Sequence, residues 1–250
     1  MSVTNLITDG YERKARLYPA LLLIAPIVFV LVAMLSTKQS TLESLLAAAV
    51  GFGGVFLLTQ LARDRGKRRE KQLFAKWGGL PSIAIFRHRN GTLDSITKTR
   101  YHKKLADLVK EAKAPTTEEE QANPTAADAA YAAWSHYLRV NTRDRKRFPL
   151  LFQENVNYGY RRNVWGLRPL GIVVCSLTSL IAAVHLYFVH RSTGHWDGAT
   201  VAAGAFSGIL LWFWIFRFSA NWVRVPADAY AARLAECVEQ LDSDHLPTLK

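Results

Sequence analysis

Cations interleaved with flat rings and amide groups are the residues of this chain whose types and spacing could do chemistry. The set is Arg87, Arg89, Lys98, Arg100, Tyr101, His102, Lys103, Arg143, Arg145, Lys146, Arg147, Asn155, Asn157, Tyr158, Tyr160, Arg161 and Arg162. Such cations can follow the phosphates of a single strand while the rings stack on its bases, at roughly 1–3 kcal/mol per stacked base. The amides of Asn155 and Asn157 could read base edges. The pattern suits single-stranded nucleic acid.

The same cations leave two other classes of partner open. Bases that flank a membrane helix attract anionic lipid headgroups, at about 1 kcal/mol per base near the surface. This explains residues 63–71 well, but it explains residues 87–89, 98–104 and 143–147 poorly, because a folded module would hold them off the bilayer. Docking to lipid or to a protein therefore stays open, and so does binding of a cyclic nucleotide.

Catalytic motifs are not found in the sequence. There is no Walker-type glycine loop, no His-Glu-x-x-His and no Cys-x-x-Cys, and the seven histidines show no metal-ligand spacing. The two cysteines, Cys175 and Cys237, are expected to be packed free thiols. We therefore predict a protein that is not an enzyme and that needs no metal or cofactor.

Four apolar runs must position the basic residues. They cover residues 18–35, 42–61, 169–190 and 200–216, and a helix needs about 20 apolar residues to cross a bilayer core. Residues 63–168 lie between the two pairs and hold 23 of the 32 Lys and Arg against 11 of the 20 Asp and Glu. The predicted fold is an all-α integral membrane protein with four transmembrane helices in two hairpins. Its insert is mainly helical, with a possible short strand at residues 82–86.

The predicted domains follow these runs. Residues 1–61 form an N-terminal segment and the first hairpin, 62–168 a basic cytoplasmic domain, 169–217 the second hairpin and 218–250 a C-terminal helix. The N-terminus, the insert and the tail hold 30 Lys and Arg, whereas the two short loops hold only Lys38 and Arg191. This bias places both termini and the insert in the cytoplasm.

Local signals predict several helices and their ends. The second run continues without a breaker to Trp77, and Gly78-Gly79 and Pro81 end it. Ser40 and Glu43 form a capping box at its start. Residues 94–112 form a helix, and Asn123 caps another that has Pro124 at its first position. The acidic helix from Pro226 is expected to pack against the basic insert or against a copy of itself.

The second run is our choice for the pore, because it leads directly into the insert. Small residues at helical spacing let membrane helices approach closely. The predicted pore or gate residues are Gly51, Gly54, Phe56, Thr59 and Gln60.

Four segments carry a resemblance to a known family. They are Trp77-Gly-Gly-Leu-Pro, Arg87-His-Arg, Thr97-Lys-Thr-Arg-Tyr-His102 and Lys146-Arg-Phe-Pro-Leu-Leu-Phe-Gln-Glu-Asn-Val-Asn-Tyr-Gly-Tyr-Arg-Arg-Asn163. Together they resemble the membrane effectors of the bacterial Hailong anti-phage defence system, over most of the chain. The resemblance implies an inner-membrane ion channel with a DNA-binding crown domain. A partner nucleotidyltransferase would make single-stranded deoxyadenylate oligomers that hold the channel shut, and loss of the oligomer would cause growth arrest.

We therefore expect a homo-oligomer, with a tetramer favoured, in which the oligomer bound to residues 62–168 closes a pore. The alternative is a non-conducting membrane anchor that recruits a cytoplasmic partner or anionic lipid.

Overall fold

The structure, a computed structural model, describes residues 13–35 and 41–241, and the side chains of residue 35 and residues 41–53 are outside the description. Within these ranges the regular structure is helical, with no strand. The α-helices are α1 (Tyr18–Leu35), α2 (Thr41–Trp77), α3 (Pro81–Ala84), α4 (Ser95–Leu108), α5 (Thr117–Ala122), α6 (Pro124–Asn141), α7 (Pro149–Thr193), α8 (Gly198–Trp212) and α9 (Ala220–Glu236). One π-helical turn, Arg13–Leu17, precedes α1, another, Phe213–Arg217, follows α8, and a 3-10 turn, Cys237–Gln240, follows α9.

Among the residues that the structure describes, three helical segments are long and apolar enough to cross a membrane: Arg13–Met34, Pro149–Thr193 and Gly198–Arg217. These segments contain the predicted third and fourth runs and all of the first run except residue 35. The second run lies in α2, and most of its side chains fall outside the described residues. The fourth span and the pairing into two hairpins therefore stay predictions, and so does the capping box at Ser40 and Glu43.

The strand predicted at residues 82–86 is wrong, because this segment is α3 and the turns that follow it. The buried residues are Pro81, Ser82, Ile85 and Phe86. They recur every four residues, which is the spacing of one helical face and not of a strand. Pro81 stands at the first helical position, where its missing N–H leaves no hydrogen bond unmade.

Two helix ends confirm what the sequence indicates. Helix α2 runs unbroken to Trp77, and Gly78 and Gly79 follow with φ of 75° and 128°, values that side chains larger than glycine rarely adopt. The side chain of Asn123 accepts a hydrogen bond from the backbone N–H of Ala126 and caps α6, with Pro124 at its first position. Three other boundaries differ from the expectation. Helix α7 begins at Pro149 and runs through Pro169 as one helix, α9 begins at Ala220 with Pro226 inside it, and α4 ends at Leu108, short of the expected residue 112.

The chain divides into two compact units. The base unit comprises residues 1–70 and 159–223, and the basic unit comprises residues 71–158 and 224–250. Three helices, α2, α7 and α9, contribute residues to both.

The basic unit has a hydrophobic core of its own. Its fully buried residues include Phe86, Leu105, Trp134, Leu138 and Leu234. Leu234 belongs to α9, and Cys237 and Leu241 lie in the same cluster. The C-terminal segment therefore packs against the insert, which is one of the two arrangements that its sequence left open.

The base unit is organised where α2 and α7 meet. A Cβ added at Gly166 would lie 2.6 Å from the backbone nitrogen of Gly66, so only glycine lets the two backbones approach this closely. Beside this contact, Ala62, Val164, Leu167 and Trp214 form a buried cluster. Close helix contacts between small residues are typical of membrane bundles.

Candidate nucleic-acid interface

The densest group of exposed cations is the basic loop, residues 143–147, which joins α6 to α7 in the basic unit. Arg143, Arg145, Lys146 and Arg147 are all exposed. The loop also contains one acidic residue, Asp144. Its carboxylate fixes the turn, because it accepts hydrogen bonds from the backbone N–H groups of Lys146 at 2.8 Å and Arg147 at 3.3 Å. The loop thus has net charge +3 and a defined backbone conformation.

Aromatic rings lie under two of these cations. The guanidinium of Arg145 stands 4.5 Å from the ring centroid of Phe152, and that of Arg147 stands 5.3 Å from the centroid of Phe148. Arg147 also donates to the backbone carbonyl of Gln240. A cation held over a ring keeps its outer face toward solvent, where it can meet a phosphate. The loop therefore supplies the cations that a single strand requires, whereas the Phe148 ring is buried and the Phe152 ring is half-buried.

The Lys98 side chain, in contrast, forms hydrogen bonds inside the basic unit. Its side chain is buried, and the ammonium group donates to the backbone carbonyls of Arg87 and His88 at 3.1 Å and to that of Asn90. Burial lowers the pKa of this ammonium, while the nearby Glu120 carboxylate opposes that shift. Lys98 holds the segment after α3 in place.

Tyr101 and His102 are also buried. One ring nitrogen of His102 lies 2.7 Å from the carbonyl oxygen of Phe86, and burial lowers the pKa of His102 to about 4. The imidazole is therefore neutral at pH 7, and its ring packs edge-on to that of His88. Neither side chain presents a ring or a charge for a strand at the surface.

Arg87 forms a clamp at the end of α2. Its guanidinium donates to both carboxylate oxygens of Asp128, at 2.8 and 2.7 Å, and to the carbonyl of Gly78 at 2.8 Å. The hydrogen bond to Asp128 is the main cause of the raised pKa of Arg87. A Cβ at Gly79 would lie 2.7 Å from the same guanidinium, so the clamp also explains the second glycine.

Three other predicted cations of the basic unit are exposed. Arg89 stands 3.9 Å from the carboxylate of Glu120, and Arg100 forms an ion pair with Glu239 at 2.6 Å. Lys103 is exposed on α4. These three can add to a polyanion surface, although Arg100 would have to exchange one carboxylate for a phosphate.

The predicted amide and ring residues on α7 are half-buried. Asn157 donates to the carboxylate of Glu154 at 3.3 Å, and Asn155 and Tyr158 lie beside it in the basic unit. Tyr160, Arg161 and Arg162 follow on the same helix but belong to the base unit. The structure therefore does not bring all the predicted residues into one unit.

In the base unit, Arg161 and Arg162 have internal partners. Arg161 donates to the carbonyl of Trp222 at 2.9 Å and lies 5.0 Å from the centroid of its ring. Arg162 is buried and pairs with Glu70 at 3.0 Å. The ring of Tyr160 packs at 6.2 Å from that of Trp222.

Two residues of this region were not singled out from the sequence. Arg168 donates to the carbonyls of Trp214 at 2.9 Å and Ile215 at 2.7 Å, and so it caps the end of the helical segment that follows α8. Asn163 donates to the carbonyl of Ala15 at 2.7 Å and accepts from the Arg162 guanidinium. Nothing in the local sequence distinguishes these residues from a solvent-exposed flank.

The predicted pore residues lie along α2. Thr59 is fully buried and its hydroxyl donates to the carbonyl of Phe56 at 2.6 Å, while Gly54, Phe56 and Gln60 are half-buried. Gly51 lies where side-chain surroundings are outside the described residues. Their assignment to a pore stays a prediction.

Among the residues that the structure describes, no group of His, Cys, Asp or Glu is arranged to hold a metal ion. The chain matches no family model, and no curated protein or solved structure shows significant similarity to it.

Proposed function

We propose that this chain is the pore-forming membrane effector of an anti-phage defence system. A single-stranded DNA oligomer bound to the basic unit would hold the pore closed, and its loss would open the pore and arrest growth. The oligomer would be a deoxyadenylate strand made by a partner nucleotidyltransferase, as the resemblance to the Hailong effectors implies. The active form would be a homo-oligomer, with a tetramer favoured, in the bacterial inner membrane.

The observation that carries this proposal is the position of the basic loop in the chain. The loop ends at Arg147, and Pro149 begins α7, the helix that contains one of the three apolar segments long enough to cross a membrane. A strand bound to the loop therefore acts at the first turn of a helix that continues into the apolar region. Helix α2 likewise extends from an apolar run to Trp77. Both helices contribute residues to the basic unit and to the base unit, so either can transmit a conformational change on binding to a pore.

A second support is the exposure of the apolar segments. No more than 28% of the most apolar window is buried in any of the three. Lipid or further copies of the chain must cover the rest, which agrees with a membrane-embedded oligomer.

Gating requires a difference in affinity between the two states of the pore. To shift a pore from 99% open to 99% closed, the oligomer must bind the closed state about 10⁴-fold more tightly than the open state, or about 5.5 kcal/mol. Several phosphate contacts on each of several copies are a suitable source of such a difference. One chain with one basic loop offers few phosphate contacts, so an oligomer reaches this difference in affinity more readily.

The first experiment measures binding of labelled oligodeoxyadenylate to the purified full chain in nanodiscs. We expect log affinity to fall with log salt concentration at a slope of about −0.7 per phosphate contact. The variant R143A/R145A/K146A should reduce that slope by about 2, because it removes three cations. The matched control is K76A/K110A/K113A, which removes three exposed cations elsewhere in the basic unit. Equal losses in both variants would indicate diffuse attraction and no site.

The second experiment separates the pore from the anchor. Proteoliposomes should retain ions while oligodeoxyadenylate is present and release them when a nuclease degrades it. Proteoliposomes that stay tight in every condition would replace the pore with a non-conducting anchor. Binding to anionic vesicles that survives in R143A/R145A/K146A, without any affinity for DNA, would replace the nucleic acid with lipid.

A further inference from the structure

A cleft in the basic unit has no role in the proposed function, apart from the exposed Arg89 in its lining, which can add to a polyanion surface. It has a volume of about 670 Å³ and lies between the segment after α3, the first turns of α4, and α5. Its lining includes Arg89, Ser95, Lys98, Thr99, Glu120 and Gln121. Pockets of roughly 300–1,000 Å³ are typical of small-molecule sites, and a mononucleotide fits within that range.

The walls of the cleft are fixed by buried polar groups. The Glu120 side chain is 5% exposed, and one of its carboxylate oxygens accepts from the backbone N–H of His88 at 2.7 Å and from the Tyr131 hydroxyl at 2.8 Å. Burial raises the pKa of Glu120, but these hydrogen bonds together outweigh it and the pKa lies below its ordinary value. On the other side, Lys98 donates to three carbonyls of residues 87–90. A preformed wall keeps the loss of entropy on ligand binding small.

The charges of the lining favour one anionic group. Arg89 and Lys98 carry two positive charges and Glu120 one negative charge. The charges of Lys98 and Glu120 are engaged within the unit, whereas the Arg89 side chain is 61% exposed and stands 3.9 Å from Glu120, at the limit of an ion pair. A guanidinium in this position can take a phosphate in a two-pronged hydrogen bond while Glu120 orients its other edge.

The remaining lining suits a sugar and a flat ring. Hydroxyls are available from Ser95 and Thr99, an amide from Gln121, and apolar surface from Leu93 and Pro124. A Cβ added at Gly91, which also lines the cleft, would meet no atom within 4 Å, so the wall is open there.

We infer that this cleft binds one nucleoside monophosphate, either free or as the phosphorylated end of a single strand, with Arg89 on the phosphate and Gln121 toward the base. The inference rests on the proposed function, because the strand on the basic loop would supply the end that enters the cleft. The cleft would then recognise one end of the strand, while the basic loop would bind phosphates along its length.

The experiment is isothermal titration of the full chain in nanodiscs with adenosine monophosphate, adenosine, ribose 5-phosphate and inorganic phosphate. We expect the monophosphate to bind at least about tenfold more tightly than each of the other three, since both phosphate and base contribute. R89A should weaken that binding about tenfold or more, because it removes a charge-assisted hydrogen bond. R139A, which removes an exposed arginine of the basic unit outside the cleft lining, is the matched control and should leave it unchanged.

A second variant guards against misfolding of R89A. Gly91→Phe places a ring at the open wall, where an added Cβ meets no atom within 4 Å, and should block the monophosphate while the unfolding temperature stays that of the native chain. Oligodeoxyadenylates carrying a 5′-phosphate, a 3′-phosphate or neither then separate the two sources of the ligand. We expect one phosphorylated end to bind more tightly than the bare strand, and R89A to abolish that advantage.

Failure of the inference and failure of the proposed function give different results. If the oligomer binds with a steep salt dependence but the monophosphate does not bind, or binds equally well to R89A and Gly91→Phe, the cleft assignment is wrong. Strand binding by the basic loop is then unaffected. If the monophosphate binds and R89A weakens it while no strand binds, the cleft is a site for a free nucleotide and the proposed function is wrong. If neither binds, both are wrong.

Discussion

Two groups of cations, one in each unit, have different surroundings. In the base unit, Arg162 pairs with Glu70, and Arg168 donates to two carbonyls at the end of a helical segment. In the basic unit, the four cations of residues 143–147 are exposed around a turn that Asp144 fixes. A count of positive charges therefore does not locate a binding surface. The two groups differ in exposure: Arg162 is buried and Arg168 half-buried, whereas all four cations of residues 143–147 are exposed, although Arg147 also donates to the Gln240 carbonyl.

The largest expected effect comes from breaking the buried ion pair. Arg162→Met leaves the carboxylate of Glu70 without its strong partner, so unfolding in mixed micelles should become easier by about 3–5 kcal/mol. The exposed Arg63, changed to Ala, is the control and should have little effect. The double variant R162M/E70M should recover much of the loss. If R162M is neutral, the buried pair does not stabilise the base unit and the comparison fails.

Filling the contact between α2 and α7 comes next. Gly166→Ala should destabilise the base unit by about 1–3 kcal/mol, because its Cβ would overlap the backbone of Gly66. Gly198→Ala is the control, since a Cβ there meets open space. The same unfolding assay measures both variants, and equal stabilities would mean that the helices do not touch at this point.

Acid should weaken the basic unit through His102. Its folded pKa is about 4, below the ordinary value of 6.5, so the unfolded chain takes up a proton first as the pH falls. Stability is unaffected above pH 6.5 and falls between pH 6.5 and about 4, with a slope approaching one proton. His102→Gln keeps a donor for the Phe86 carbonyl and should flatten this pH dependence, measured by unfolding at several pH values. His136→Gln, at an exposed position, should retain it.

The smallest effect on stability is expected in the basic loop. R143A/K146A should change the free energy of unfolding by no more than about 0.5 kcal/mol, as surface substitutions usually do. The same variant should clearly weaken DNA binding at low salt. Loss of stability without loss of affinity would reverse the roles of the two groups of cations.

Much of the fold follows from local sequence signals, and much of the site does not. The stop at Gly78-Gly79 and the cap at Asn123 are local events, so the neighbouring residues are enough to predict them. The prediction of a strand at residues 82–86 was wrong. Two isoleucines on either side of an alanine resemble the alternation of a strand, but packing in the core favours a helical turn.

The internal arginines are long-range features. Arg87 meets Asp128 across 41 residues and Arg162 meets Glu70 across 92, and no spacing rule connects such pairs. Lys98, Tyr101 and His102 likewise share a motif with exposed Arg100 and Lys103, and the core decides which of them are buried. The exposure of the basic loop could be predicted because a charged turn between two helices has no hydrophobic core in which to be buried.

The glycine contact between α2 and α7 also limits how these helices can move. With no side chain between Gly66 and Gly166, the backbones touch at one point, and Asn163 lies directly against Gly66. Sliding one helix along the other would drive larger side chains into that point, whereas a change of crossing angle leaves it intact. The contact therefore favours a change of crossing angle over sliding wherever these two helices move relative to each other.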